Sequence, residues 1–153
     1  MKNILFVCAG NICRSPLAEG IVRARLAGAG LDLRVDSAGT QDYHVGDPPD
    51  PRAIAVAAAN GIDISALRAR QVTARDFEEF DAVLLADREN LRCLRARHPG
   101  LARQPELLLE WCGMADPREV PDPYYGDAAG FERVFRLLEC AADGLLQRLR
   151  NGP

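Results

Sequence analysis

A cysteine followed six positions later by an arginine is the segment of this chain best suited to chemistry: Cys8-Ala9-Gly10-Asn11-Ile12-Cys13-Arg14, continued by Ser15-Pro16. The residue types suit an oxyanion. Gly10 and Asn11 tolerate left-handed backbone, so the amides of the loop can turn inward around a phosphate, and a helix opening at Ser15-Pro16 adds its positive end. Arg14 can close the ring with a bidentate contact to two oxygens, a geometry that lysine does not reproduce. The same field would hold Cys8 as thiolate, the nucleophilic form. The alternative is a cysteine that merely ends a core strand. With five cysteines in 153 residues, and eighteen arginines once Lys2 is set aside from the nineteen basic residues, chance supplies about 0.6 such pairs. A second pair does occur, Cys112 and Arg118. Pro117, Pro121 and Pro123 leave no room there for a helix, so Cys8 to Arg14 is read as the site and the second pair as a coincidence.

Displacing a phosphate ester also needs a proton for the leaving oxygen. Asp122 in Pro121-Asp122-Pro123-Tyr124-Tyr125-Gly126 is the candidate, because the prolines stiffen its loop and the tyrosines can wall a pocket for an aromatic group. Alone, Asp-Pro in a loop most often marks a turn, and the reading gains weight only beside the cysteine loop. The histidines are weaker candidates. His44 falls in a loop, and His98 precedes Pro99 at a helix end, where helix C-terminal charge accounts for it.

These residues need a scaffold, and strand and helix signals alternate along the chain. Lys2 to Cys8 is a continuous apolar run of the kind a buried parallel strand requires, stopping at Gly10-Asn11. Ser15 reads as an N-cap with Pro16 at the first helical position, and the helix runs to about Ala27. Leu33 to Ala38 is a second strand, Gly39 to Asp50 a loop, and Pro51 to Asn60 a helix closed by Gly61. Thr73 with Asp76 resembles a capping box, Ala82 to Ala86 is a short strand, and Asp87 caps a helix that ends at Pro99-Gly100. Glu106 to Trp111 is the fourth strand candidate. Phe131, Val134, Phe135, Leu138, Ala142, Leu145 and Leu149 mark an amphipathic last helix. The pattern predicts one α/β domain over 1–153, a four-stranded parallel sheet with helices on both faces, and a site at the carboxyl ends of its strands.

Composition narrows the classes further. Apolar residues at 48% and charged residues at 27% fit a globular protein, and a net charge of -3 lacks the broad positive field of a nucleic-acid binder. No apolar run approaches the roughly 18 residues needed to cross a bilayer, so no membrane role and a cytoplasmic location are expected. The five cysteines lack zinc-finger pairing, which speaks against a disulfide framework or a structural metal. Cys13, five residues after Cys8, is either a small packed residue or the partner for a reversible protective disulfide.

Val7 to Pro16 and Asp122 to Gly126 resemble the phosphate loop and acid loop of the low-molecular-weight protein tyrosine phosphatases, in a bacterial-type member. Asp36-Ser37-Ala38-Gly39-Thr40 resembles that family's second-strand motif, His44-Val45-Gly46 and Asp50-Pro51-Arg52 its variable loop, and Ala86-Asp87 with Asn90 its segment after the third strand. The likeness spans nearly the whole chain. It implies that Cys8 attacks phosphorus to give a phosphocysteine, that Arg14 and the loop amides of Ala9, Gly10, Asn11, Ile12 and Cys13 hold the charge, and that Asp122 protonates the leaving phenol and later serves as base. Ser15 would help Cys8 depart as thiolate, while Asn11 and Ser37 brace the loop. Tyr43, where many bacterial members carry tryptophan, would wall the pocket with Tyr124 and Tyr125, and Ala86 stands where methionine is common. The resemblance implies a monomer acting on a tyrosine-phosphorylated protein, a bacterial tyrosine kinase among the candidates, with no metal and no cofactor.

Three rivals share features of this pattern. Thioredoxin-coupled arsenate reductases use the same loop and relay a disulfide through two further cysteines, of which Cys93 falls near the second while Ala86 occupies the first. Protein-arginine phosphatases carry threonine where Ile12 stands. A non-catalytic phosphate-binding module needs the cradle and Arg14 but neither Cys8 nor Asp122.

Overall fold

The structure is a computed structural model and describes residues 3–152. The first strand, β1 (Asn3–Cys8), lies between β2 (Arg34–Gly39) and β3 (Ala82–Leu85), and β4 (Glu106–Leu107) extends the sheet beyond β3. Every pairing is parallel. Lys2, the expected start of β1, lies outside the described residues. Because β1 is covered on both faces, alternate residues enter different cores. Ile4, Phe6 and Cys8 face a core built with α1 (Arg14–Gly28), α2 (Pro51–Ala59) and α6 (Ala128–Asn151). Leu5 and Val7 face a second core, with Phe77 of α3 (Asp76–Glu79), Phe80, and Leu94 of α4 (Arg88–Arg97). Burial on both faces is why the strand reads as an unbroken apolar run. No helix among the described residues is long and apolar enough to cross a membrane.

Three elements depart from expectation. Glu106 to Trp111 splits into the two-residue β4 and a short helix, α5 (Leu108–Trp111). Its apolar residues after Glu106 are Leu and Trp with no β-branched member, and a short apolar run of that kind does not distinguish a buried strand from a buried helical turn. Helix α1 begins at Arg14, one residue before the expected Ser15 cap, with Cys13 at the N-cap position and no side-chain cap. Ser15 and Pro16 lie inside the first turn, where the missing proline donor costs nothing. At Thr73, half of the expected capping box forms: Asp76 accepts from the Thr73 amide at 2.8 Å, while the same carboxylate is held by Arg70. Asp87 does cap α4 in a reciprocal box with Asn90.

The sheet delivers its strand ends to one edge of the molecule. Cys8 pairs in register with Gly39, and a Cβ on Gly39 would fall 2.7 Å from the Ala9 carbonyl oxygen. Only glycine lets β2 end so close under the Cys8 loop.

Candidate active site

The loop from Cys8 to Arg14 turns at Asn11, whose φ of 58° is the single positive value among the described non-glycine residues. Gly10, expected to share that conformation, does not. Its smallness leaves room for the His44 ring, whose Cδ2 would lie 3.1 Å from an added Cβ. Asn11 is 4% exposed and every polar group of its side chain is used. Its Oδ1 accepts from the Arg70 amide at 3.0 Å, while Nδ2 donates to Ser15 Oγ at 2.8 Å and Ser37 Oγ at 3.0 Å. Ser37 donates onward to Glu19 Oε1 at 2.6 Å, and Arg23 donates to Glu19 Oε2 at 2.6 Å. Burial holds the Glu19 carboxyl above the usual carboxylate range, with Ser37 and Arg23 pulling the other way.

Cys8 Sγ sits at the end of this network, 3.0 Å from Ser15 Oγ and 3.4 Å from the Ser15 amide nitrogen. At Cys13, burial first, and then the neighbouring Cys8 charge, push the thiol far up, so it stays protonated.

Arg14 is buried, with Nη1 donating to Asp87 Oδ2 at 2.7 Å and to the Val120 carbonyl at 2.8 Å. Burial works against its charge, but Cys8, Asp87 and Asp122 outweigh it and hold the guanidinium protonated. Its Nη2 lies 3.9 Å from Asp122 Oδ2. The Asp122 side chain is 44% exposed, and its Oδ1 accepts from the Tyr124 amide at 3.1 Å. Val120, two residues earlier, donates to the Ala86 carbonyl at the end of β3.

A cleft of about 250 Å³ opens over these groups, lined by Cys8, Ala9, Gly10, Ile12, Cys13, Arg14, Tyr43, His44, Asp122, Tyr124 and Tyr125. It gathers all the sequence-predicted site residues except Asn11, Ser15 and Ser37, which stand behind the loop. Tyr124 and Tyr125 meet edge to face with centroids 5.0 Å apart, and the His44 ring is 6.4 Å from that of Tyr124. Tyr43 and Tyr125 are 77% and 91% exposed, so the mouth is aromatic and wet.

The second Cys-Arg pair forms no cradle. Burial pushes the Cys112 thiol up to about 12, and Arg118 lies on the surface 3.8 Å from Glu110. Sequence reasoning missed His44 in the cleft wall, the hold of Asp87 on Arg14, and the buried Glu19 behind Ser37. A signal existed only for Asp87, which caps α4 through one oxygen and has a second to offer. Among the described residues, no group of three or more His, Cys, Asp or Glu is placed to hold a metal.

A thiol between two donors, beside a fixed guanidinium and across from a carboxylate, at the carboxyl end of a central parallel strand, defines the class of cysteine-dependent phosphatases. Comparison with known proteins agrees. Residues 3–152 match the low molecular weight phosphotyrosine protein phosphatase family. The low molecular weight protein-tyrosine-phosphatase of Streptomyces coelicolor is 41% identical over 158 residues, covering 97% of this chain and 93% of that one. The crystal structure of YfkJ from Bacillus subtilis is 36% identical with a TM-score of 0.90, covering 99% of this chain and 96% of that one. A Drosophila arginine phosphatase structure is also similar, 31% identical with a TM-score of 0.87 over 96% of each chain. The chain belongs to the low molecular weight phosphotyrosine protein phosphatase family.

Proposed function

We propose that Cys8, Arg14 and Asp122 hydrolyse phosphotyrosine in protein substrates through a phosphocysteine. The Cys8 thiolate attacks phosphorus and the P–O bond to tyrosine breaks, while Asp122 gives its proton to the departing phenol oxygen. Water then attacks phosphorus, Asp122 takes a proton from it, and the P–S bond breaks to return the thiolate and phosphate. Arg14 and the amides of Ala9 to Cys13 hold the equatorial oxygens, where charge accumulates. Ser15 steadies the thiolate, Asn11 and Ser37 brace the loop, and Tyr43, Tyr124 and Tyr125 flank the tyrosine ring. The observation that carries this reading is the pairing of Cys8 Sγ, 3.0 Å from Ser15 Oγ, with Asp122 Oδ2, 3.9 Å from Arg14, across one cleft.

The reading extends to a single catalytic domain over 1–153, working as a monomer in the cytoplasm on tyrosine-phosphorylated proteins, a bacterial tyrosine kinase among them. All five cysteines are free thiols, which fits a reducing compartment.

Phosphoarginine is the second substrate to weigh, given the similar Drosophila arginine phosphatase. Ile12 lines the cleft here and offers a guanidinium no hydrogen bond. Wild type, Cys8→Ser and Asp122→Asn should be compared on an aryl phosphate in EDTA, with phenol release followed in the burst and phosphocysteine trapped. Cys8→Ser is expected to be inactive. Asp122→Asn should lose on the order of 10² to 10⁴ on poor leaving groups. Turnover by Cys8→Ser, or a preference for phosphoarginine over phosphotyrosine peptides, would overturn the reading.

A further inference from the structure

Arg52 lies outside the cleft in the first turn of α2, and its contacts join the two loops of the site. Asp50, at the N-cap of that helix, donates its backbone N–H to the Ile12 carbonyl at 2.8 Å, so it is tied to the cysteine loop. Its carboxylate accepts from Arg52 Nε at 3.0 Å and from Nη2 at 2.9 Å. The outer edge of the same guanidinium donates to the acid loop, to the Tyr124 carbonyl at 3.0 Å and the Gly126 carbonyl at 3.0 Å. Its Cζ also lies 4.5 Å from the Phe131 ring centroid and 5.7 Å from that of Tyr124.

The loop carrying Asp122 is thus fastened on both sides. Upstream, Val120 is held by Ala86 and by Arg14. Downstream, the loop makes its own turn bonds, Tyr124 amide to Asp122 and Gly126 amide to the Pro123 carbonyl, and the two Arg52 bonds reach across to the other loop. Pro121 and Pro123 restrict φ but bring no donors, and the bonds from this loop to Arg52 are made through its carbonyls. A planar fork can serve Asp50 and two carbonyls while packed on a ring; a lysine ammonium cannot.

We propose that Arg52 is a positioning residue that sets Asp122 over the leaving oxygen by clamping the acid loop to the cysteine loop. The inference rests on the proposed role of Asp122 as general acid. If it holds, loss of the clamp harms the reaction where a proton is needed and spares it where none is.

The test compares Arg52→Lys and Arg52→Gln with wild type on phenyl phosphate, a poor leaving group, and p-nitrophenyl phosphate, a good one, each also in an Asp122→Asn background. Inhibition by inorganic phosphate checks the cysteine loop. The expected result is a loss in kcat/KM about tenfold larger for phenyl phosphate than for p-nitrophenyl phosphate, with phosphate inhibition intact. That selective loss should vanish when Asp122 is already Asn. Equal losses on both substrates, a selective loss that persists without Asp122, or a matching loss of phosphate inhibition would overturn the clamp alone. If Asp122→Asn by itself leaves the dependence on leaving group unchanged, the general-acid reading falls, and the clamp with it.

Discussion

The Asn11 amide donates to the Ser15 hydroxyl at 2.8 Å, and that bond decides where the serine proton goes. Asn11 cannot be turned over, because its Oδ1 already accepts from the Arg70 amide. Ser15 therefore receives from Asn11 and spends its own proton on Cys8 Sγ, 3.0 Å away. A donor at sulfur matters most when the thiolate is the leaving group. Ser15→Ala should slow phosphocysteine breakdown about tenfold to a hundredfold, the size of a lost hydrogen bond to a charged group. Rapid-quench kinetics should show a fuller burst and a lower kcat; a lower kcat/KM with kcat unchanged would contradict this.

Asp87 divides its oxygens, one capping α4 through the Asn90 amide and the other holding Arg14. Asp87→Asn can keep the cap but faces Arg14 with an uncharged amide. Inhibition by inorganic phosphate should weaken about tenfold. Tm should fall as well, because the buried Arg14 guanidinium loses its charged partner, a cost of about 1–3 kcal/mol.

Glu19 gives a pH signature. Burial raises its carboxyl in the folded chain, so the folded state holds this proton more tightly than the unfolded one. Its contribution to stability is present below the unfolded value and lost as pH rises through the folded value. In urea titrations across the weakly acidic range, the stability of wild type relative to Glu19→Gln should fall as pH rises. A difference that is flat or rises with pH would exclude the effect.

Gly144 marks the closest approach of α6 to the end of α5. A Cβ there would lie 2.0 Å from the Cys112 carbonyl oxygen, a backbone atom that cannot swing aside. Gly144→Ala should cost about 1–3 kcal/mol or more, read as a drop in Tm. Activity per folded molecule should be kept, since the cleft lies elsewhere.

Cys13 lines the cleft with Cys8, and its buried thiol stays protonated. Peroxide oxidation of Cys8 to the sulfenic acid removes the Cys8 charge that helps to hold Cys13 protonated, and Cys13, in the same cleft wall, can then condense with it to a disulfide with loss of water. Wild type treated with peroxide should recover activity with dithiothreitol, and Cys13→Ser should recover less. Equal recovery in both would leave Cys13 a packing residue.

Much of this arrangement was legible in the sequence. Lys2 to Cys8 reads as a strand because Ile4 to Cys8 are buried on both faces, and Asp87 reads as a cap because its box with Asn90 is local. Leu108 to Trp111 misled because leucine runs fit either a strand or a turn of helix. The supports of the site were hidden for a different reason. Arg52 bonds to the Tyr124 carbonyl 72 positions away, Arg70 offers its amide to Asn11 59 positions away, and Arg14 meets the Val120 carbonyl 106 positions away. Backbone atoms carry no residue identity, so although the spacing from Cys8 singles out Arg14, nothing in the sequence pairs these three arginines with the distant groups they meet.

The bond from Arg14 to the Val120 carbonyl has a reach beyond anchoring. In the mechanism we propose, the side chain that meets the phosphate also grips the root of the loop that carries the acid. On that reading proton donor and phosphate seat share one support, and the site measures its substrate against the spacing between them. Turnover limited by chemistry in this cleft would be indifferent to solvent viscosity, and the ester would be selected by whether its bridging oxygen comes within reach of Asp122 once its phosphate is seated at Arg14.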